Sequence, residues 1–133
     1  LRKRHNLPGM SVLHFGFDDE NDDNPHRPEN LSKDSIVYTG THDNDTTMGW
    51  WDSATPERKV RVIEVGLSGE NACDTLIRLA MESPAPLAII PLQDILQLGS
   101  DSRMNTPGQA AGNWDWRFDW PELTNGNWDA FKR

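Results

Sequence analysis

Apolar residues gather in three short runs that read as extended chain, separated by polar loops and by two segments of helical spacing. The first run, Met10 to Phe17, follows the Pro8-Gly9 turn and predicts a strand over about 10–17. The second, Ser35 to Thr39, is rich in β-branched and aromatic residues and predicts a strand over 35–39. The third, Leu87 to Pro91, is an unbroken apolar run of the kind buried on both faces of a parallel sheet. Thr55-Pro56-Glu57 places an N-cap before a proline at the first helical position, so a helix runs from there to about Val65, broken by Gly66, Ser68 and Gly69. A second helix is expected from about Asn71 to Glu82, with Leu76, Ile77, Leu79 and Ala80 on its buried side and Ser83-Pro84-Ala85-Pro86 as its stop. Gln93 to Leu98 has room for one or two helical turns. The stretches 18–33, 40–45 and 99–113 are polar and rich in Asp, Asn, Gly or Pro, and read as loops.

Strand, loop, helices, strand is the order of an α/β fold with a parallel sheet. Polar segments carrying His, Asp, Asn or Arg follow each strand, as at the C-terminal face of a (β/α)8 barrel. Three strands cannot close a barrel, but they fit three consecutive staves of one.

Composition sharpens this picture. Leu, Ile, Val and Phe make up only about a fifth of the chain, close to the level at which a core becomes insufficient. Six Trp residues compensate in part, since each buries a large apolar area. Either the chain is a small soluble domain, or it is a slice of a larger one whose neighbours cover its apolar faces; the motifs favour the slice, as does a start at Leu1 rather than Met. The net charge of −8 and the lack of a basic run beyond Arg2-Lys3-Arg4 argue against nucleic acid and anionic membranes as partners. No apolar stretch approaches the roughly 18 residues of a membrane helix. A single cysteine, Cys73, forms no internal disulfide, and a cytoplasmic location is expected.

The densest chemistry lies in Tyr38-Thr39-Gly40-Thr41-His42-Asp43-Asn44-Asp45-Thr46-Thr47, followed by Gly49-Trp50-Trp51. On spacing alone it reads first as an Asx-rich turn that caps the next helix. A metal reading is weaker, because no second His lies at helical spacing and no Cys cluster is present. A carbohydrate reading draws on the same residues: Asp, Asn and His bind sugar hydroxyls, and aromatic faces stack on sugar rings. Trp50, Trp51, Trp114 and Trp116 stand near such groups in sequence, although core packing accounts for any one of them.

Six motifs, in order, bear a resemblance. Leu7-Pro8-Gly9-Met10 with Val12-Leu13-His14-Phe15-Gly16-Phe17 resembles the PGM-x-VLQFAF stretch of the amylomaltase-type 4-α-glucanotransferases, and Asn24-Pro25 the NP that follows it. Tyr38 to Thr47 is similar to their YTGTHDNDT signature, and Pro91-Leu92-Gln93-Asp94 to P-x-QD. Arg103-Met104-Asn105-Thr106-Pro107-Gly108 and Gly112-Asn113-Trp114-Asp115-Trp116-Arg117 resemble RMN-x-PG and GNW-x-WR. The resemblance covers nearly the whole chain. It implies an α/β chain made of the last three βα units of a TIM barrel, incomplete over 1–133, from an enzyme that moves α-1,4-glucan segments to an acceptor sugar. It implies a retaining double displacement, which needs a nucleophilic and an acid/base carboxylate about 5 Å apart. Both precede Leu7 in family order, so the chain alone is expected to be inactive. The family's third carboxylate, which stabilises the transition state, maps to Asp43, and His42 would bind the same sugar. Asn105 is a substrate contact by resemblance, and equally a turn residue before Pro107. Asp45 and Asp94 are expected to orient backbone, and Arg103 and Arg117 to pair with acidic neighbours. His14, Gly16 and Glu29 stand where the family has Gln, Ala and His. No cofactor is expected. A non-catalytic glucan-binding piece that kept the substrate loops is the alternative of another class.

Overall fold

A computed structural model describes residues 1–66 and 71–123. Three strands, β1 (Gly9–Val12), β2 (Ser35–Tyr38) and β3 (Leu87–Ile89), form one parallel sheet in the order β1-β2-β3. Met10 pairs with Ile36, which pairs with Leu87; Val12 pairs with Tyr38, which pairs with Ile89. Parallel, adjacent strands are what the alternation of apolar runs and helices predicts.

The first strand is shorter than the expected 10–17. It ends at Val12, and Leu13–Gly16 coils into a helical turn, α1. The burial pattern explains the difference: Leu13, His14, Gly16 and Phe17 are buried and Phe15 is exposed, a helical spacing rather than the alternation of a strand. Gly16 permits the turn, because a Cβ there would collide with the carbonyl oxygen of His26. The third strand is also shorter than 87–91, since Pro91 already caps a short helix, α2 (Leu92–Ile95). Nor is it buried on both faces: Leu87 and Ile89 are exposed.

Between β2 and β3 lie three further helices, named α3 (Thr47–Asp52), α4 (Pro56–Glu64) and α5 (Ala72–Glu82). The last two match expectation. Thr55 caps α4 by accepting from the Arg58 amide, with Pro56 first in the helix, and Asn71 caps α5 by accepting from the Asp74 amide. Gly66 takes a positive φ of 116° just past α4, while Ser68 and Gly69 lie outside the described residues. Helix α3 was not expected; Gly49 and the β-branched Thr47 are poor helix formers, yet Thr46 caps it by accepting from the Gly49 amide.

The core joins Leu13 and Phe17 of the first turn, Leu31, Val37 of β2, Trp50 of α3, Val62 of α4, and Leu76 and Ala80 of α5, with Leu79 packed at its edge. The helices therefore lie on the Val37 side of the sheet. Alternation along each strand places Met10, Val12, Ile36, Tyr38, Leu87 and Ile89 on the opposite side. That side is wholly apolar apart from the Tyr38 hydroxyl, and Met10, Leu87 and Ile89 are about half exposed.

Candidate functional site

The loop 40–46 springs from the C-terminal end of β2 and runs into α3. Its turn is built by Asn44, whose Oδ1 accepts from the Thr41 amide at 2.9 Å and the Thr41 hydroxyl at 2.8 Å. The expected turn is present, but it is a Thr41–Asn44 turn that the Asn44 side chain closes by reaching back to Thr41, not an Asx turn, and Thr46 rather than Asp43 caps the next helix. Asp43 is left free to point elsewhere.

It points at the loop 99–113. The Asn105 side-chain amide donates to Asp43 Oδ1 at 2.6 Å, and His42 Nε2 lies 3.4 Å from the same oxygen. The Asn105 backbone amide donates to the His42 carbonyl at 3.1 Å, so the two loops are also joined through backbone. His42, Asp43 and Asn105, taken from the sequence as site residues, thus meet at one carboxylate oxygen. The side chains of His42 and Asp43 stay 56% and 52% exposed, open to a ligand. Arg103 departs from expectation. Its guanidinium donates to the carbonyls of Asp43 at 2.7 Å and Asn105 at 2.8 Å instead of pairing with a carboxylate. Arg117 likewise binds the carbonyls of Trp114 and Trp116. Each ties loop backbone, which a planar multi-donor guanidinium does well.

Beside this cluster is a cleft of about 180 Å³ lined by Thr41, His42, Asp45, Gln93, Met104 and Trp114, among others. The Trp114 ring stands 5.0 Å from the His42 imidazole, tilted by 38°. Trp114 is half exposed and adopts a positive φ of 65°, a strained conformation for a bulky residue, with its amide on the Met104 carbonyl at 2.7 Å. An exposed indole beside hydrogen-bonding side chains is the arrangement a sugar ring uses, one face apolar and the rim polar. Trp50, by contrast, is buried in the core.

Asp45 and Asp94 orient their surroundings, as expected. Asp45 accepts from the Thr46 amide and the Ser100 hydroxyl, each at 2.8 Å. Asp94 is buried; its Oδ2 accepts from the hydroxyls of Thr39 at 2.6 Å and Thr47 at 2.8 Å, and its Oδ1 from the Thr47 amide at 2.8 Å. Burial pushes its carboxyl above the usual carboxylate range, against the pull of these donors. His14 is buried next to Thr47, with Nε2 3.0 Å from Thr47 Oγ1 and its ring stacked on Trp50 at 4.6 Å. Burial, and then the nearby Arg58 charge, pull its pKa down to about 3. This buried network escaped the sequence reading. Thr39, Thr47 and Asp94 each lie in a motif, and Asp94 was expected to orient backbone, but no periodicity or spacing brings the three together.

The other long loop, 18–33, does not flank Asp43 through any of its hydrogen bonds. Those that leave the loop run to β1, to α1, to the start of β2 and to α4: the Val12 amide to His26 Nδ1 at 3.0 Å, Asn24 to the Phe15 carbonyl at 2.9 Å, the Ser35 hydroxyl to the Ser32 carbonyl at 2.8 Å, and Arg58 to Asp18 at 2.6 Å. Glu29 accepts from Arg27 at 2.6 Å within the loop. Among the described residues, no group of three His, Cys, Asp or Glu is placed to hold a metal ion.

Residues 1–124 match the sequence family described as 4-alpha-glucanotransferase. A 4-alpha-glucanotransferase of Synechocystis sp. is 54% identical over 121 residues, which is 89% of this chain and 24% of that protein. A chloroplastic/amyloplastic 4-alpha-glucanotransferase of Solanum tuberosum is 50% identical over 120 residues, 89% of this chain and 21% of its own length. The structure of an amylomaltase from Streptococcus agalactiae in complex with acarbose superposes with a TM-score of 0.93 at 32% identity, over 98% of this chain and 27% of that one. The chain thus spans about a quarter of the length of the relatives it matches.

Proposed function

This chain belongs to the 4-alpha-glucanotransferase family, and from that premise we propose that it is the C-terminal part of an enzyme that transfers α-1,4-glucan segments to an acceptor sugar by a retaining double displacement. The observation that carries the reading is the meeting of His42, Asp43 and Asn105 at Asp43 Oδ1, beside the exposed face of Trp114.

In this mechanism a nucleophilic carboxylate attacks the anomeric carbon while an acid/base carboxylate protonates the departing glycosidic oxygen. The covalent glucosyl-enzyme is then opened by an acceptor hydroxyl, with the second carboxylate now acting as base. Those two carboxylates belong to the remainder of the protein. Asp43 is the third. Its charge faces the sugar as positive charge develops at the anomeric carbon, and its oxygens accept ring hydroxyls. His42 and Asn105 hydrogen-bond the same sugar, and Trp114 stacks on it. The partner is an α-1,4-glucan, which the acarbose bound by the Streptococcus agalactiae amylomaltase supports.

The three strands are the last three staves of a (β/α)8 barrel. The apolar side of the sheet bearing Met10, Leu87 and Ile89 supports this, since parallel sheets are normally covered on both faces. Maltotriose supplied to the full-length protein should yield glucose and longer maltooligosaccharides, with the new linkages α. The isolated 133-residue chain should release glucose only at background. Sustained turnover by the isolated chain would refute the assignment of the nucleophile and acid/base to the remainder.

A further inference from the structure

The loop that carries His42 and Asp43 begins after Thr39 and ends at Thr47, and both threonines are fully buried. One carboxylate holds both. Asp94, itself 1% exposed, takes the Thr39 and Thr47 hydroxyls on Oδ2 and the Thr47 amide on Oδ1. It reaches them from α2, at the end of β3, so the third strand's end ties the second strand's end to the start of α3.

The proton inventory fixes the rest of the chain. A hydroxyl carries one hydrogen, and Thr47 gives it to Asp94. At Thr47 Oγ1 the imidazole of His14 must therefore donate, from Nε2, across 3.0 Å. His14 Nδ1 is then a bare acceptor; it has no partner in the structure and faces Gly40, where an added Cβ would lie 3.0 Å from Nδ1 and 2.7 Å from Cε1. The same ring is fixed by its parallel stack on Trp50. The root of the loop is thus held by a buried, directional set, while its tip is half exposed and held by Asn105 and Arg103.

We propose that Asp94 is a positioning residue for the transfer reaction: by clamping Thr39 and Thr47 it sets where Asp43 meets the sugar, without touching substrate itself. The proposal rests on the reading of Asp43 as the third carboxylate. Asparagine has the size of Asp94 but brings two donors where three donors now converge, so the clamp must rearrange. A shift of about 1 Å in a catalytic group costs up to about 10²-fold in rate.

The test is steady-state kinetics on maltotriose with the full-length enzyme. Asp94→Asn should lower kcat by roughly 10- to 100-fold with KM changed by less than about threefold. Placed in an Asp43→Asn background, it should cost less than about threefold more, because the group it positions is already gone. Thr47→Val should reproduce the loss and Thr47→Ser should restore most of the rate; this pair decides the matter if Asp94→Asn fails to fold. Wild-type kcat in a folded Asp94→Asn enzyme, or losses that simply multiply in the double variant, would overturn the proposal. A near-normal kcat for Asp43→Asn alone would instead strike the reading beneath it, and the proposal with it.

Discussion

Asp43→Asn is the sharpest test of the site, because the structure separates charge from shape there. Asp43 accepts the Asn105 amide through Oδ1 and makes no buried contact that the fold depends on; its side chain is 52% exposed. An asparagine of the same size still offers Oδ1 to Asn105, so the two loops stay joined, helped by the Asn105 amide on the His42 carbonyl. What disappears is one negative charge. A unit charge about 4 Å from a developing oxocarbenium, at an effective dielectric near 20, contributes about 4 kcal/mol. Partial charge in the transition state and partial exposure reduce this to about 3–4 kcal/mol, which at about 1.4 kcal/mol per decade predicts a kcat lower by about 10²–10³. The assay is maltotriose disproportionation by the full-length enzyme, with circular dichroism and a thermal melt to establish that the variant folds. The loss should fall on kcat more than on KM, since the charge matters most as the bond breaks. A folded variant within a few-fold of wild-type kcat would refute the assignment.

His14 should make stability depend on pH. Its pKa falls from the ordinary 6.5 to about 3 in the folded state, so between these values the unfolded chain binds the extra proton. Stability is full above pH 6.5 and falls as the pH drops toward 3, by up to about 1.4 kcal/mol per pH unit; denaturant titrations at pH 7 and 5 should show this slope in the wild type and lose it in His14→Gln. Gly16→Ala should destabilise by about 1–3 kcal/mol, read as a lower Tm, because the His26 carbonyl occupies the space a Cβ needs; an unchanged Tm would contradict the tight turn. The isolated chain should self-associate in sedimentation experiments, since Met10, Leu87 and Ile89 leave an apolar sheet side open and β1 and β3 are both edges. A clean monomer with a sharp, reversible melt would speak for a self-standing domain.

How far the sequence carries depends on whether a feature is local. Helix α4 is legible because Thr55-Pro56 is a cap whose hydrogen bond closes within three residues, and α5 because Leu76, Ile77, Leu79 and Ala80 recur at helical spacing before the Ser83–Pro86 stop. The sheet order was legible because consecutive βα units leave few alternatives. The run from Met10 to Phe17 reads as one strand because Met10 to Val12 pass without a break into further apolar and aromatic residues, whose burial follows a helix, and only Gly16 marks the change. At the site, motif resemblance brought out His42, Asp43 and Asn105, but not how they meet: a 2.6 Å contact between residues 62 apart in sequence has no local signature. The same holds for the carboxylate beneath them. Asp94 lies 55 residues from Thr39 and 47 from Thr47, and nothing in its neighbours reveals that it is buried or that three donors satisfy it. A buried charge needs such partners to be tolerated at all. The threonines at the two ends of the His42–Asp43 loop therefore have a reason for being threonine that surfaces only in three dimensions: each hydroxyl satisfies Asp94, and in doing so fixes an end of the segment whose tip carries the proposed chemistry.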